Sequence, residues 1–345
     1  MKKKLSIHDI AKALKLSAST ISFVLNDKAE EKRISESVRE RVLKYVEEVG
    51  YKPNVLAQSL RTGKSRILGM LVEDISDSFF SSIARTAELL AAKKGYKILF
   101  SSTENDTEKT KELLRVMRER HVEGYIIAPP PGIEQELKEL LNEKIPLVLF
   151  DRYFPALHTH NVIIDNYLGA LLATKHFIDN GYRHIGFVTL DSNQTQMSER
   201  LQGYQYSIDT HSLSSHIFKI PYNQDEQTII SGITGFLTKN TLLDAILFAT
   251  NYLTIGGIKA MKKLQFKIPG DIAIVGFDDN AHFPILSPAI SAVAQPVEDI
   301  AEKSISKLLN ILAGREPHTC VSTIVLPVKL LVRESSVAVN NVLPG

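Results

Sequence analysis

From Arg66 onward, short apolar runs alternate with amphipathic stretches, and this alternation narrows the fold more than any other feature of the chain. "RILGMLV", "YKILFSS", "GYIIAPP" and "IPLVLFD" read as strands, separated by helical patterns near 79–94, 107–120 and 133–143. A second series follows with "HIGFVTL", "SHIFKIP", "DAILFAT" and "DIAIVGFDD", and helices near 166–180, 225–238 and 252–264. Strand–helix alternation over this length requires parallel sheets covered by helices on both faces. Two series predict two α/β lobes, whose strand ends can face a shared cleft.

The first 66 residues follow a different pattern. Ser6 and Asp9 fit a capping box for a helix over roughly 7–13, with Ile7, Ile10, Ala11 and Leu14 on one face. Ser17 can cap a second helix across 18–25, turning Ile21, Val24 and Leu25 inward. Ser35 opens a longer third helix, with Val38, Val42, Tyr45, Val46 and Val49 apolar and Gly50 ending it. Two short helices with a tight turn and a third in support make an all-α helix-turn-helix head. "YKPNVLAQSLRTGKS" then carries a short helical pattern, too brief to stand alone and so read as a hinge helix that orders on docking.

Charge separates the two parts. Residues 1–66 hold 15 Lys and Arg against 8 Asp and Glu, a formal +7, so the rest carries −5 within a net +2. A basic head on an acidic body points to a polyanion at one end. At 44% hydrophobic and 23% charged, the composition is that of an ordinary globular chain. The one cysteine, Cys320, leaves no internal disulfide and suits a reducing cytoplasm. "MKKKLSIHDIAK" has a basic run without an apolar stretch behind it, so neither an export signal nor a membrane span is expected.

Taken together, "SIHDIAKALKLSASTISFVLN", "YKPNVLAQSLRTGKS", "GFDDNAHFPILSPAISAVAQP" and "LPVKLLVRESS" resemble the LacI/GalR family of bacterial transcription regulators, in the family's order and spacing. The resemblance implies a multidomain chain: a helix-turn-helix head over 1–52, a hinge helix and linker over 53–65, and a two-lobed body of periplasmic-binding-protein type. The first lobe is expected from 66–164 plus about 294–323, the second from 165–293 plus about 324–338. It further implies a cytoplasmic homodimer on near-palindromic operator DNA, a repressor by family weight, governed by a small effector between the lobes. A sugar or sugar derivative is the family-weighted effector, with no cofactor and no catalysis expected.

Site residues follow from position and chemistry. The second helix of a helix-turn-helix meets the major groove with its N-terminal residues, which places Ala18, Ser19 and Phe23 toward base edges. Ser17, Thr20, Ser22 and Asn26 can bond phosphates, or can simply cap and solvate the helix. Phe23 stands where the commonest family pattern has a long polar or basic residue; it can pack on a thymine methyl or in the head's core. In the hinge, Asn54, Ala57, Ser59 and Leu60 face the minor groove, and Leu60 matches the family's wedging leucine or packs on the body. For the effector, the resemblance carries over Asp77, Phe79 and Phe80 at the cleft mouth, with one Phe stacking on the ligand and the other in the core. It adds Arg200 in the turn "SERLQGY", Asn251, Asp278 in "GFDD" and Asp165 in "VIIDN". Arg200 and Asp278 can instead pair with each other. Tyr252 stands where many members have Asp, which favours a bulkier, less charged wall.

Rival readings fare differently. "TGKS" at 62–65 lacks the phosphate-loop glycine, since position 58 is Gln58. No dinucleotide fingerprint, H-E-x-x-H or nucleophile elbow occurs, and "HTH" at 158–160 reads as a solvated loop. A solute-binding protein would share the body but not the head. A protein co-regulator docking on the body is the remaining alternative to a small effector.

Overall fold

The computed structural model describes residues 5–51, 64–222, 224–317 and 321–337. The chain divides into two compact units, Met1–Arg66 and Ile67–Gly345. In the head, α1 (Ile7–Leu14) begins at the Ser6–Asp9 capping box: the Asp9 N–H donates to Ser6 Oγ at 3.3 Å and the Ser6 N–H to Asp9 Oδ2 at 2.8 Å. Lys15, at φ 50°, closes α1 and turns the chain into α2 (Ala18–Leu25), capped by Ser17 Oγ on the Thr20 N–H at 3.0 Å. Ile10, Ala11, Ile21, Val24 and Ala29 then pack with Val42 of α3 (Glu36–Glu48) into a core of their own. The predicted hinge residues Asn54, Ala57, Ser59 and Leu60 lie outside the described residues, as do Arg61 and Cys320.

The body starts with β1 (Ile67–Val72), α4 (Ser78–Lys93), β2 (Lys97–Ser102), α5 (Thr107–Glu119), β3 (Tyr125–Ile127), α6 (Glu134–Asn142), β4 (Leu147–Phe150) and β5 (His160–Ile164). It continues with α7 (Asn166–Asp179), β6 (Ile185–Leu190), α8 (Thr195–Thr210), β7 (His216–Ile220), α9 (Glu226–Lys239), β8 (Ala245–Phe248), α10 (Asn251–Lys263) and β9 (Ala273–Phe277). The last elements are β10 (Ser291–Ala294), α11 (Val297–Leu312), β11 (Thr323–Leu326) and β12 (Lys329–Leu331). One sheet runs β11-β5-β4-β3-β1-β2 and is parallel throughout; the other runs β12-β10-β9-β8-β6-β7 and is parallel except for β12. Period-two alternation divides the first sheet's side chains between two apolar clusters. Met70, Ile126, Val148 and Phe150 enter one, while Leu71, Tyr125, Ile127 and Leu149 enter the other.

The chain crosses between the sheets three times, after β5, after β10 and after β11. The third crossing falls beyond Leu326, not near residue 323, because β11 pairs with β5 from Thr323↔Asn161 to Leu326↔Ile164. A second difference concerns "SERLQGY", expected to be a turn: it lies within α8. That helix is buried along a face carrying Gln196, Arg200 and Ser207, so its sequence lacks a continuous apolar stripe. Gly203 explains how α8 lies so close to α7. A Cβ there would meet the Tyr167 carbonyl oxygen at 2.2 Å.

Candidate functional site

Two surfaces in separate units carry candidate chemistry. In the head, the exposed start of α2 presents Ser17 and Ser19, with Thr20 half-buried beside them. Their hydroxyls are linked, Ser17 Oγ lying 3.0 Å from Ser19 Oγ and 2.8 Å from Thr20 Oγ1, which fixes their directions before any ligand arrives. Ala18 is half-buried and packs against the head's core. Phe23 is half-buried but absent from that core; the Lys32 ammonium sits 5.7 Å from its ring centroid. The apolar ring therefore stands outside the core cluster with a cation over one side. Ser22 departs from expectation. It is 6% exposed, on the inward side of the helix, and its carbonyl accepts from Asn26 Nδ2 at 2.6 Å. Burial removes its hydroxyl from a phosphate-contacting surface, and Asn26 is engaged in ending the helix.

In the body, the strand order of each sheet reverses between β1 and β3 and between β6 and β8, and parallel sheets bind ligands at such reversals, beyond the strand C-termini. A cavity of about 350 Å³ opens there, lined by Glu73 after β1, Leu190 of β6 and Thr250 after β8. That is the scale of a site for a small molecule. Asp77 caps α4, accepting from the Phe79 N–H at 2.7 Å, and also accepts from Asn251 Nδ2 of the other lobe at 3.2 Å. Asn251 is 4% exposed at the first turn of α10. Arg200, 2% exposed, donates from Nε to Asn166 at 2.9 Å and from Nη1 to the Ala249 carbonyl at 2.6 Å, and lies 3.6 Å over the Phe277 ring. Asp278 faces it at 3.7 Å and accepts from Gln295. The pair belongs to one lobe, so it lines the cleft without spanning it.

Polar contacts also join the lobes directly. Gln194, at the start of α8, donates to Asn105 at 3.2 Å and accepts from Arg152 Nη1 at 3.1 Å. Arg152 is itself 2% exposed and bonds Glu73 and Asp151. Burial pushes the Asp151 carboxyl up to about 6, although Arg152 and Arg200 pull it down. Burial likewise raises Asp77 and Asp278 above the usual carboxylate range.

Comparison with known proteins places both surfaces in one lineage. Residues 6–54 match the model of bacterial regulatory proteins, lacI family, and residues 174–336 match a periplasmic binding protein-like domain. The HTH-type transcriptional regulator RegA of Clostridium saccharobutylicum is 32% identical over 344 residues, covering 96% of this chain and 99% of its own. The chain belongs to the lacI family of bacterial regulatory proteins. It is a DNA-binding transcriptional regulator. This LacI-family chain is also similar to the ribose operon repressor of Haemophilus influenzae, 28% identical over 96% of this chain and 98% of that one. Its fold matches the lac repressor dimer bound to operator and the anti-inducer ONPF, with a TM-score of 0.84 at 20% identity over 97% of this chain and 100% of that one. The lacI-type head argues against a solute-binding protein, whose body alone would look alike.

Within this LacI-family body the cleft gathers Asp77, Phe79, Phe80, Arg200, Asn251, Asp278 and Tyr252. Phe79 and Phe80 both line it and both belong to the core, at 8% and 7% exposure, in edge-to-face contact with centroids 5.0 Å apart. Asp165 does not line it. Its carboxylate accepts from the Leu168 N–H at 2.8 Å and caps α7, and the neighbouring Asn166 is the residue that holds Arg200. Glu73, Asp151, Gln196 and Tyr222 line the cleft and were not singled out by the sequence. Asp151 was findable, as the polar residue ending the apolar run "IPLVLFD" at a parallel strand's C-terminus. Gln196 and Tyr222 gave no such signal.

Proposed function

We propose that this regulator is a repressor: a homodimer on a near-palindromic operator, controlled by a sugar or sugar derivative held between the lobes of the body. The observation that carries the reading is the Arg200–Asp278 pair, positioned with Asn251 and Asp77 around a cavity at the strand reversals. Guanidinium, carboxylate and carboxamide groups together offer donors and acceptors suited to hydroxyls. A relative named for the ribose operon supports the sugar class. In the head, Ser17, Ala18, Ser19, Thr20 and Phe23 meet the major groove, and Asn54, Ala57, Ser59 and Leu60 serve the minor groove, with Leu60 as the wedge. The protein acts by binding, without chemistry on its ligand, and works in the cytoplasm. Among the described residues no helix is long and apolar enough to cross a membrane.

Binding shifts operator affinity only through a ligand's preference for one lobe arrangement over another. Asn251 to Asp77 and Gln194 to Asn105 are contacts that such a preference would make or break. The test is operator binding by the full chain with and without a ligand found by metabolite screening. Asp278→Asn and Arg200→Ala are expected to lose the ligand response while ligand-free operator affinity stays within about threefold of wild type. A normal response in both variants, with normal melting, overturns the cleft assignment.

A further inference from the structure

Charge around the cleft does not balance. Glu73, Asp74, Asp77, Asp151 and Asp278 line it, while among the described lining residues the one basic side chain is Arg200. Arg152 supplies a second guanidinium from behind the wall, already bound to Glu73 and Asp151. Arg200 is likewise engaged by Asn166, the Ala249 carbonyl and Asp278. Asp77 is held by the neutral Phe79 N–H and Asn251 amide, and Asp74 by Ser76. The carboxylates act on one another: Glu73 and Asp74 add to the burial that raises Asp77, and Asp77 and Glu73 do the same at Asp278.

An inorganic cation does not answer this excess, because among the described residues no three His, Cys, Asp or Glu side chains are grouped to hold a metal ion. A second observation points to an organic donor. Gln196 lines the cavity at 3% exposure, and its Oε1 has no hydrogen-bond partner. Buried acceptors left unpaired are costly, and a turn of the Gln196 side chain would bring this one to an N–H or O–H in the cavity that the residue lines. An ammonium is all donor, and the rings of Phe79, Tyr222 and Tyr252 on the same walls suit a cation or a sugar face.

Resting on the reading of this cleft as the effector site, we propose that the effector is an organic cation, an amine-bearing polyol of the amino-sugar class. Its ammonium sits against Glu73, Asp74 and Asp77, and its hydroxyls meet Arg200, Asn251 and Gln196. Phosphorylated sugars and sugar acids are rejected by the same carboxylates.

The test is calorimetry and thermal shift of the full chain with glucosamine, glucose and glucose 6-phosphate, and with the corresponding galactose set. An amino sugar is expected to bind most tightly and stabilise most. In Asp77→Asn its affinity falls about tenfold or more, while that of the neutral parent changes less than about threefold. Asn caps a helix as well as Asp, so this variant keeps its fold, which its ligand-free melting curve verifies. If a neutral or phosphorylated member binds best and Arg200→Ala abolishes that binding, the cationic effector is overturned while the cleft stands. Amino-sugar binding that survives both substitutions overturns cleft and charge together. Failure of both amino sugars to bind at millimolar concentration overturns the proposal.

Discussion

At the scale of single residues, the structure bears on one of the two readings of Phe23 that its sequence position left open, packing in the head's core. Its ring lies outside the head's core and beside Lys32, so truncation should leave the fold nearly intact. We expect Phe23→Ala to melt within about 1 kcal/mol of wild type, the worth of an exposed cation–π contact. Its preference at one symmetric pair of operator positions should drop roughly tenfold, since a good base contact discriminates by about 1–3 kcal/mol. Half-site selection with a melting curve checks both; a strongly destabilised mutant would return Phe23 to the core. Asp151 allows a prediction in pH. Its folded pKa, about 6, lies above the ordinary 3.8. Between these values the folded chain keeps a proton that the unfolded chain releases, so this group's contribution to stability falls as pH rises through the window. Asp151→Asn should therefore stabilise the ligand-free protein at pH 7, on the order of 1–3 kcal/mol, and lose the advantage near pH 4. Asn also tolerates the left-handed φ of 65° found there. A difference in melting that ignores pH would refute the assignment.

Elements differ in how plainly the sequence announces them, and α8 shows why. Strands such as β4, with every residue buried, read as uninterrupted apolar runs. In α8 the buried face holds Gln196, Arg200, Gly203 and Ser207, because that face serves a polar cleft at one end and a close helix contact at the other. The helical period was therefore hidden, and the arginine at its centre looked like part of a turn. Asp165 misled for a related reason: a carboxylate near a lobe crossing suits a ligand as well as a helix N-terminus, and here the helix uses it. The position of Gly203 can be tested directly. Alanine would gain about 1 kcal/mol in helix propensity, but its Cβ would strike backbone at 2.2 Å. Overpacking of this kind costs about 1–3 kcal/mol or more, so Gly203→Ala should melt lower than wild type. A variant melting at or above wild type would show that α7 and α8 separate without cost.

Across the whole molecule, alternation revealed two lobes, and the resemblance of separated motifs revealed their family. Neither could place the third crossing, because "VSTIVLPVKLLV" offers two short strands on either side of Pro327 and Val328, and only pairing assigns them to different sheets. That interleaving bears on how the protein is made. A ribosome delivers the chain from its N-terminus, and the 66-residue head is continuous, so it can fold as soon as it emerges. The body has no such freedom. Its first lobe receives the edge strand beside β5 only at Thr323–Leu326, after nearly all of the second lobe has been translated. Until then β5 offers an open edge in a nascent chain, the condition in which strands recruit unintended neighbours. The three helices of the head can therefore fold on the ribosome well before the body that would govern them is complete.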